Sequence, residues 1–435
     1  MFENEEEKLN ELRKHLEHVD IPQGELEGAI LQGLERAKRE KQMRRTKRKR
    51  GFWILAISAL VLITLVTSIR VSPAIANAVA SFPGMEKLVS LIHDDKGFNA
   101  AIENDYYQEI AKSQTQNGIT LTIDGVVSDH QQMLIFYSIE HDGTKGEVRP
   151  QAPRIYGENK KKLPGASMSL NAKPNDYQHS NYSSRLEISF EEPIQEEKFE
   201  LMMPFENDEE AFEFEIPFEI TRKNDSVKTI IVNETVTIEG QKITVSDVNI
   251  TPLRVAIHIE KDPKNSMRIF NFEDLALQNE KGEEWSSATY GFNSSILSDD
   301  EEIIYLQSNY FDQPKRLTLT FSKLQAMPKD EAFITIDTDK KIILNQPHEN
   351  YFSFQNVLNG RVGLGSNVPE DFHFELFSRF VDHNGKESYI QEWSHNGGKE
   401  LIMKLPTESY ENPLTLPFSF YPRWIEGRVE IDLTE

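Results

Sequence analysis

The stretch GITLTIDGVVSDHQQMLIFYSIE, residues 118–140, decides the fold class. Apolar side chains alternate with polar ones at Ile119, Leu121 and Ile123, a polar turn follows near Ser128-Asp129-His130, and a second apolar run ends at Glu140. A period of two belongs to a strand with one buried face, because successive side chains point to opposite sides of a sheet. The stretch therefore predicts two antiparallel strands joined by a short turn. The same pattern returns as GQKITVSDVNITPLRVAIHIE at 240–260, again opening on glycine and ending in Ile-Glu, which marks an internal repeat. Strands of the same kind follow at RLEISFEE (185–192), EEKFELMMPF (196–205) and AFEFEIPFEI (211–220), and later at FHFELFSRFVD, KELIMKLP, PLTLPFSFYP and GRVEIDL.

Short strands at regular spacing with polar turns predict a mainly β chain of tandem antiparallel, immunoglobulin-like β-sandwiches. The polar run Thr221–Ser226 ends the first, at 114–224, and Asp339–Lys341, after the strand AFITID, ends the second, at 225–340. Residues 341–435 form a C-terminal β-region that is either a third sandwich or the completion of the second.

Upstream the period is helical. SPAIANAVASF, MEKLVSLI and FNAAIENDYYQEI predict three short helices in a neck over 72–113, with Ser72-Pro73 as a helix start. Before them, Phe52 to Ile69 carries no charge. At about 1.5 Å per residue that run gives roughly 27 Å of helix, close to the hydrocarbon thickness of a bilayer. Residues 51–71 are therefore expected to form one transmembrane helix in contact with membrane lipid. Some fifty residues precede it, too many for a signal peptide, although Ala74, Ala76 and Ala78 imitate a cleavage site. Arg44, Arg45, Lys47, Arg48, Lys49 and Arg50 flank one side and only Arg70 the other. That asymmetry is topogenic: it keeps the N-terminal side in the cytoplasm and sends the C-terminal domains outside the cell membrane.

Residues 1–50 make the short cytoplasmic α-helical tail. Leu9, Leu12 and Leu16 fall at helical spacing, and Leu26, Ile30 and Leu34 form a second stripe after Pro22. Two helices this short bury too little apolar area to be stable alone, so their stripes call for a partner groove, a second copy or a membrane surface.

The tail holds 13 Lys and Arg against 11 Asp and Glu, so the net charge of −23 is concentrated, as −25, in the rest of the chain. Such an acidic surface disfavours nucleic acid and anionic lipid as partners of the outer part. There is no cysteine, which removes disulfides, thiol catalysis and Cys-based metal sites. No nucleotide-binding loop, zinc-protease helix or serine-hydrolase elbow occurs, and Val362–Ser366, with two glycines, reads as a turn or bulge. The cluster His93-Asp94-Asp95 reads as loop and capping residues, and Ser298–Glu302 lacks the spacing of a calcium loop. No catalytic, metal or cofactor residues are singled out, and enzyme activity is not expected.

The runs SPAIANAVASFPGMEKLVSLI, DKGFNAAIENDYYQEI and NGITLTIDGVVSDHQQMLIFYSIE resemble a domain of unknown function found in Bacillus-type single-pass membrane proteins. The resemblance covers about 72–222. Members often carry a second, immunoglobulin-like domain of unknown function, which would correspond to about 225–340. The family is often encoded beside extracytoplasmic-function sigma factors, and some members are regarded as their negative regulators. The resemblance thus implies an anti-sigma-like tail, contacting a sigma factor through Leu9, Leu12, Leu16, Leu26, Ile30 and Leu34, and outer β-domains that meet an envelope ligand or protein. The tail has His15 and His18 but no cysteine, unlike zinc-type anti-sigma domains. The alternative is a non-enzymatic scaffolding or binding protein of the cell envelope.

Overall fold

The computed structural model describes residues 3–17, 91–92 and 95–434, apart from 164, 172–176, 178, 208–209, 224, 288–293, 397–398 and 407–409. Two compact units divide at Ser72. In the first, α1 spans Glu3–Glu17. The expected membrane span at 51–71 and half of the expected neck, residues 72–90 and 93–94, lie outside the described residues. Among those residues, no helix is long and apolar enough to cross a membrane.

The second unit is mainly β, with every described strand pair antiparallel. The opening stretch folds as read: Ile119–Ser128 pairs with Gln132–His141, and Ile119, Leu121 and Ile123 are fully buried. The first sheet runs in the order Tyr107–Gln116, Ile119–Ser128, Gln132–His141, Asn181–Ser189, Ser167–Leu170. Facing it is a sheet of Ala211–Glu219, Lys198–Glu206, Arg154–Gly157 and Lys161–Lys162, with Arg149–Pro150 alongside. One core lies between them, built on residues such as Tyr137, Leu186, Leu201, Phe205 and Phe214.

The repeat reproduces this plan. Lys228–Ile238, Gln241–Ile250, Arg254–Lys261, Glu301–Gln307 and Ser294–Ser298 adopt the same strand order as the first sheet. The two copies share their turn chemistry: Asn117-Gly118 and Glu239-Gly240 both have positive φ at two successive positions, as a tight hairpin turn requires. They also share a bulge in the first strand, at Ala111 and at Asn233, again with positive φ.

The C-terminal region answers both of its sequence readings. A third core, including Ile334, Ile336, Leu364, Phe377, Met403 and Phe418, lies between two further sheets. The last strand, Trp424–Asp432, leaves that sandwich and pairs with Leu317–Pro328 in the second, where Ile425, Val429 and Ile431 join its core. The expected boundary at Asp339–Lys341 therefore shifts. Phe333–Asp337 pairs with Leu414–Pro417 and buries Ile334 and Ile336 in the third core, so the junction falls at the short helical turn Lys329–Glu331.

Two local readings are also corrected. The helix expected over 98–110 is α2, Lys96–Glu103; Asp105 at positive φ turns the chain, and Tyr107 begins a strand opposite Val127. The end of the expected neck is thus the edge of the first sheet. Val362–Ser366 is also strand, within Arg361–Ser366, and the bulge lies in its partner between Phe354 and Asn356.

Candidate functional site

The first sandwich meets the second across α2. Asp95 caps the helix, its carboxylate accepting from the Phe98 amide at 2.9 Å, and Gly97, Phe98, Ala101 and Ile102 are buried. They pack with Val127, Leu134 and Phe136 on the outer face of the first sandwich and with Leu253 of the second. The backbones come close enough that a Cβ on Gly97 would lie 2.5 Å from the Ser308 amide nitrogen.

This joint is also charged. Arg185, Glu187 and Ser189 occupy the face of their strand opposite Leu186 and Ile188, the face that would be solvated in an isolated sandwich, yet all three are buried. Glu187 accepts from Gln132 Nε2 at 2.6 Å through Oε1, while its Oε2 has no hydrogen-bond partner among the described residues. Arg254 donates to Ser189 Oγ and stacks over Tyr305, and Arg185 donates to the Leu91 carbonyl and stacks over Phe98. Burial raises the pKa of Glu187 to about 7 and that of Asp95 to about 6, against the attraction of Arg185. Asp129 bridges the two sandwiches directly, accepting from the Leu253 amide at 3.1 Å.

Between the second and third sandwiches lies a cleft of about 620 Å³, within the usual range for ligand sites. Strand Met267–Phe272 forms one wall, Ser294–Ser298 another, and Phe374, Tyr389 and Phe420 come from the third sandwich. Arg268 and Arg379 both reach Asp299 Oδ1, at 4.0 and 3.5 Å. Burial lowers the pKa of Arg268, and Arg379 adds to that effect. Deeper in, Lys261 Nζ lies 2.7 Å from Glu302, with both side chains largely buried.

The acidic run Ser298–Glu302 is dispersed among separate partners. Asp299 faces the two arginines, Glu301 lies 2.8 Å from His258 Nε2, and Glu302 faces Lys261. Among the described residues, the acid and histidine atoms that converge are those of Glu331, His348 and Glu349. Their center already holds a cation: Arg423 lies 3.0 Å from Glu331, and Glu349 accepts from Arg423 Nε and from the Tyr421 hydroxyl at 3.0 Å each. Although burial opposes it, these donors hold the Glu349 carboxyl below the usual range.

Of the residues expected to contact a partner, Leu9 and Leu12 are on α1 and exposed, at 67% and 61%. Leu16 lies on the same helix. Leu26, Ile30 and Leu34, and the basic residues Arg44, Arg45, Lys47, Arg48, Lys49 and Arg50, lie outside the described residues.

Two domain families of unknown function match the chain. The DUF4179 model covers residues 45–141, from the basic run to the end of the strand Gln132–His141. The DUF5643 model covers 227–354, the second sandwich and the start of the third. A crystal structure described as a conserved domain protein from Bacillus anthracis aligns over 55% of this chain and 84% of its own, at 16% identity and a TM-score of 0.39. No curated protein matches the chain.

Sequence reasoning missed both the joint and the cleft. Their members are far apart in the chain, with Asp95 meeting Glu187 and Arg254, and Arg268 meeting Arg379. The available signal was polar residues at alternate positions of otherwise apolar strands, a pattern identical to that of a solvated face.

Proposed function

We propose that this is a single-pass membrane signalling protein, an anti-sigma factor whose cytoplasmic tail holds an extracytoplasmic-function sigma factor while outer, immunoglobulin-like β-domains sense the envelope. The observation that carries the reading is α1. It is an acidic helix whose Leu9 and Leu12 are exposed at helical spacing, a stripe that suits a groove on a partner protein. The uncharged run 52–69 behind a basic cluster supports an anchor with the N-terminus inside. The chain acts by binding and carries out no catalysis in this reading.

The test is to tag the full chain, extract it from native membranes in mild detergent and identify co-purifying proteins by mass spectrometry. A sigma factor recovered with the natural tail and lost from the Leu9→Glu/Leu12→Glu variant is the expected result. Unchanged sigma-dependent transcription in that variant, with no sigma factor recovered, refutes the reading. A scaffolding role is the second reading, favored by the cleft between sandwiches and by large exposed side chains such as Ile231 and Ile296. It predicts that envelope phenotypes of a deletion are rescued by a chain whose tail carries those substitutions.

A further inference from the structure

Ser294–Ser298 is the last strand of its sheet, and no further strand pairs with it among the described residues. Ser294, Ile296 and Ser298, the alternate residues of that strand, line the cleft, and Ile296 is 77% exposed. Across the cleft, Met267–Phe272 and Glu387–Tyr389 are likewise terminal strands of their sheets. Three edge strands thus border one cavity. An unpaired edge offers a row of backbone donors and acceptors, and an extended chain satisfies them by adding as a strand. Five edge residues span about 17 Å of extended peptide.

The charges in the cleft select among peptides. Arg268 keeps 29% of its side-chain surface exposed and stacks over Phe270, and its ion pair to Asp299 is long, at 4.0 Å. Asp299 itself is 76% exposed on the turn after Ser298, so it is a loosely held counter-ion that an incoming carboxylate can replace, while Arg379 keeps its closer partner Glu387 at 3.0 Å. A guanidinium in a half-desolvated wall gains most from a planar, bidentate acceptor. Ile296, Phe374, Tyr389 and Phe420 would cover apolar side chains on either side.

We propose that this cleft binds an extended, partly apolar peptide segment that adds as a strand to Ser294–Ser298 and places a carboxylate between Arg268 and Arg379. The proposal deepens the sensing role given to the outer domains and rests on that reading for its purpose, while the binding itself is measured independently of the tail.

The experiment uses the purified full chain in detergent micelles and fluorescein-labelled hexapeptides of alternating valine and threonine, with one aspartate placed at each position in turn. At least one aspartate register should bind saturably, and its asparagine counterpart should bind about tenfold more weakly. Arg268→Gln should lose the same tenfold and should bind the aspartate and asparagine peptides alike. N-methylation of alternate backbone amides of the peptide should abolish binding without altering the protein at all.

No saturable binding by any register overturns the proposal, as does binding that survives both N-methylation and Arg268→Gln. Binding of a polyuronate oligosaccharide in place of every peptide would reassign the cleft to an acidic glycan and overturns it equally. Peptide binding with no sigma factor on the tail leaves the cleft assigned and removes the signalling reading; the converse outcome does the reverse.

Discussion

Glu187→Gln is expected to stabilize the joint around α2 at neutral and alkaline pH. The wild-type carboxyl is 4% exposed, and its pKa rises from an ordinary value of 4.5 to about 7, chiefly because burial penalizes its charge. A group raised in the folded state binds more protons when folded than when unfolded over that interval, so stability falls as pH climbs from 4.5 to 7 and is level above. The shift corresponds to about 3 kcal/mol at pH 8. Glutamine keeps the acceptor for Gln132 Nε2 and removes the titration. The groups facing this position are Asp95 from the cap of α2, Arg185 on its own strand, and Arg254 from the second sandwich. Of these, Asp95 retains a smaller dependence of the same sign, with its pKa at about 6. Urea midpoints and amide exchange at Phe98–Ile102 should be followed from pH 4 to pH 8 in both proteins. The two should agree near pH 4, and the variant should become the more stable by about 3 kcal/mol at pH 8. Parallel profiles across the range would refute the claim that Glu187 is held protonated by burial.

Gly97→Ala should destabilize the same joint by about 1–3 kcal/mol, since the new Cβ would lie 2.5 Å from a backbone nitrogen and neither backbone yields cheaply. Faster proteolysis near residues 91–107 with the first sandwich still folded would locate the damage at the joint. Arg423→Gln strips the cation from Glu331 and Glu349, and the variant should bind a divalent cation at a site lined by Glu331, His348 and Glu349 that the wild type lacks. Calorimetric titration with zinc checks this, and equal binding by both proteins counts against it. Leu9→Glu/Leu12→Glu should leave the urea midpoint of the β-domains unchanged, because both side chains are exposed in a separate compact unit.

Much of the fold was legible one strand at a time. Ile119, Leu121 and Ile123 alternate with polar residues because one face of their strand is buried, and the repeat at Ile243 and Val245 obeys the same constraint. Gly118 and Gly240 were legible as strand openings, and the structure adds that each completes a hairpin turn with Asn117 or Glu239 at positive φ. FNAAIENDYYQEI misled because its helical stripe runs past Glu103, whereas Tyr107 gains a place opposite Val127 that no local pattern encodes. GRVEIDL reads locally as a strand, which the structure extends to Trp424–Asp432, and its choice of the second sandwich depends on a long-range pairing with Leu317–Pro328.

The sequence by itself determined the mainly β class and the tandem repeat, since these follow from side-chain periodicity within a few residues. Tertiary structure alone decided which sandwich each late strand joins, that α2 is a plug between domains, and that Glu187 and Arg268 lie in buried or cleft positions. The physical reason is that a polar residue on the outer face of a strand looks the same in sequence whether water or a second domain covers it, and only packing sets the desolvation that shifts its charge.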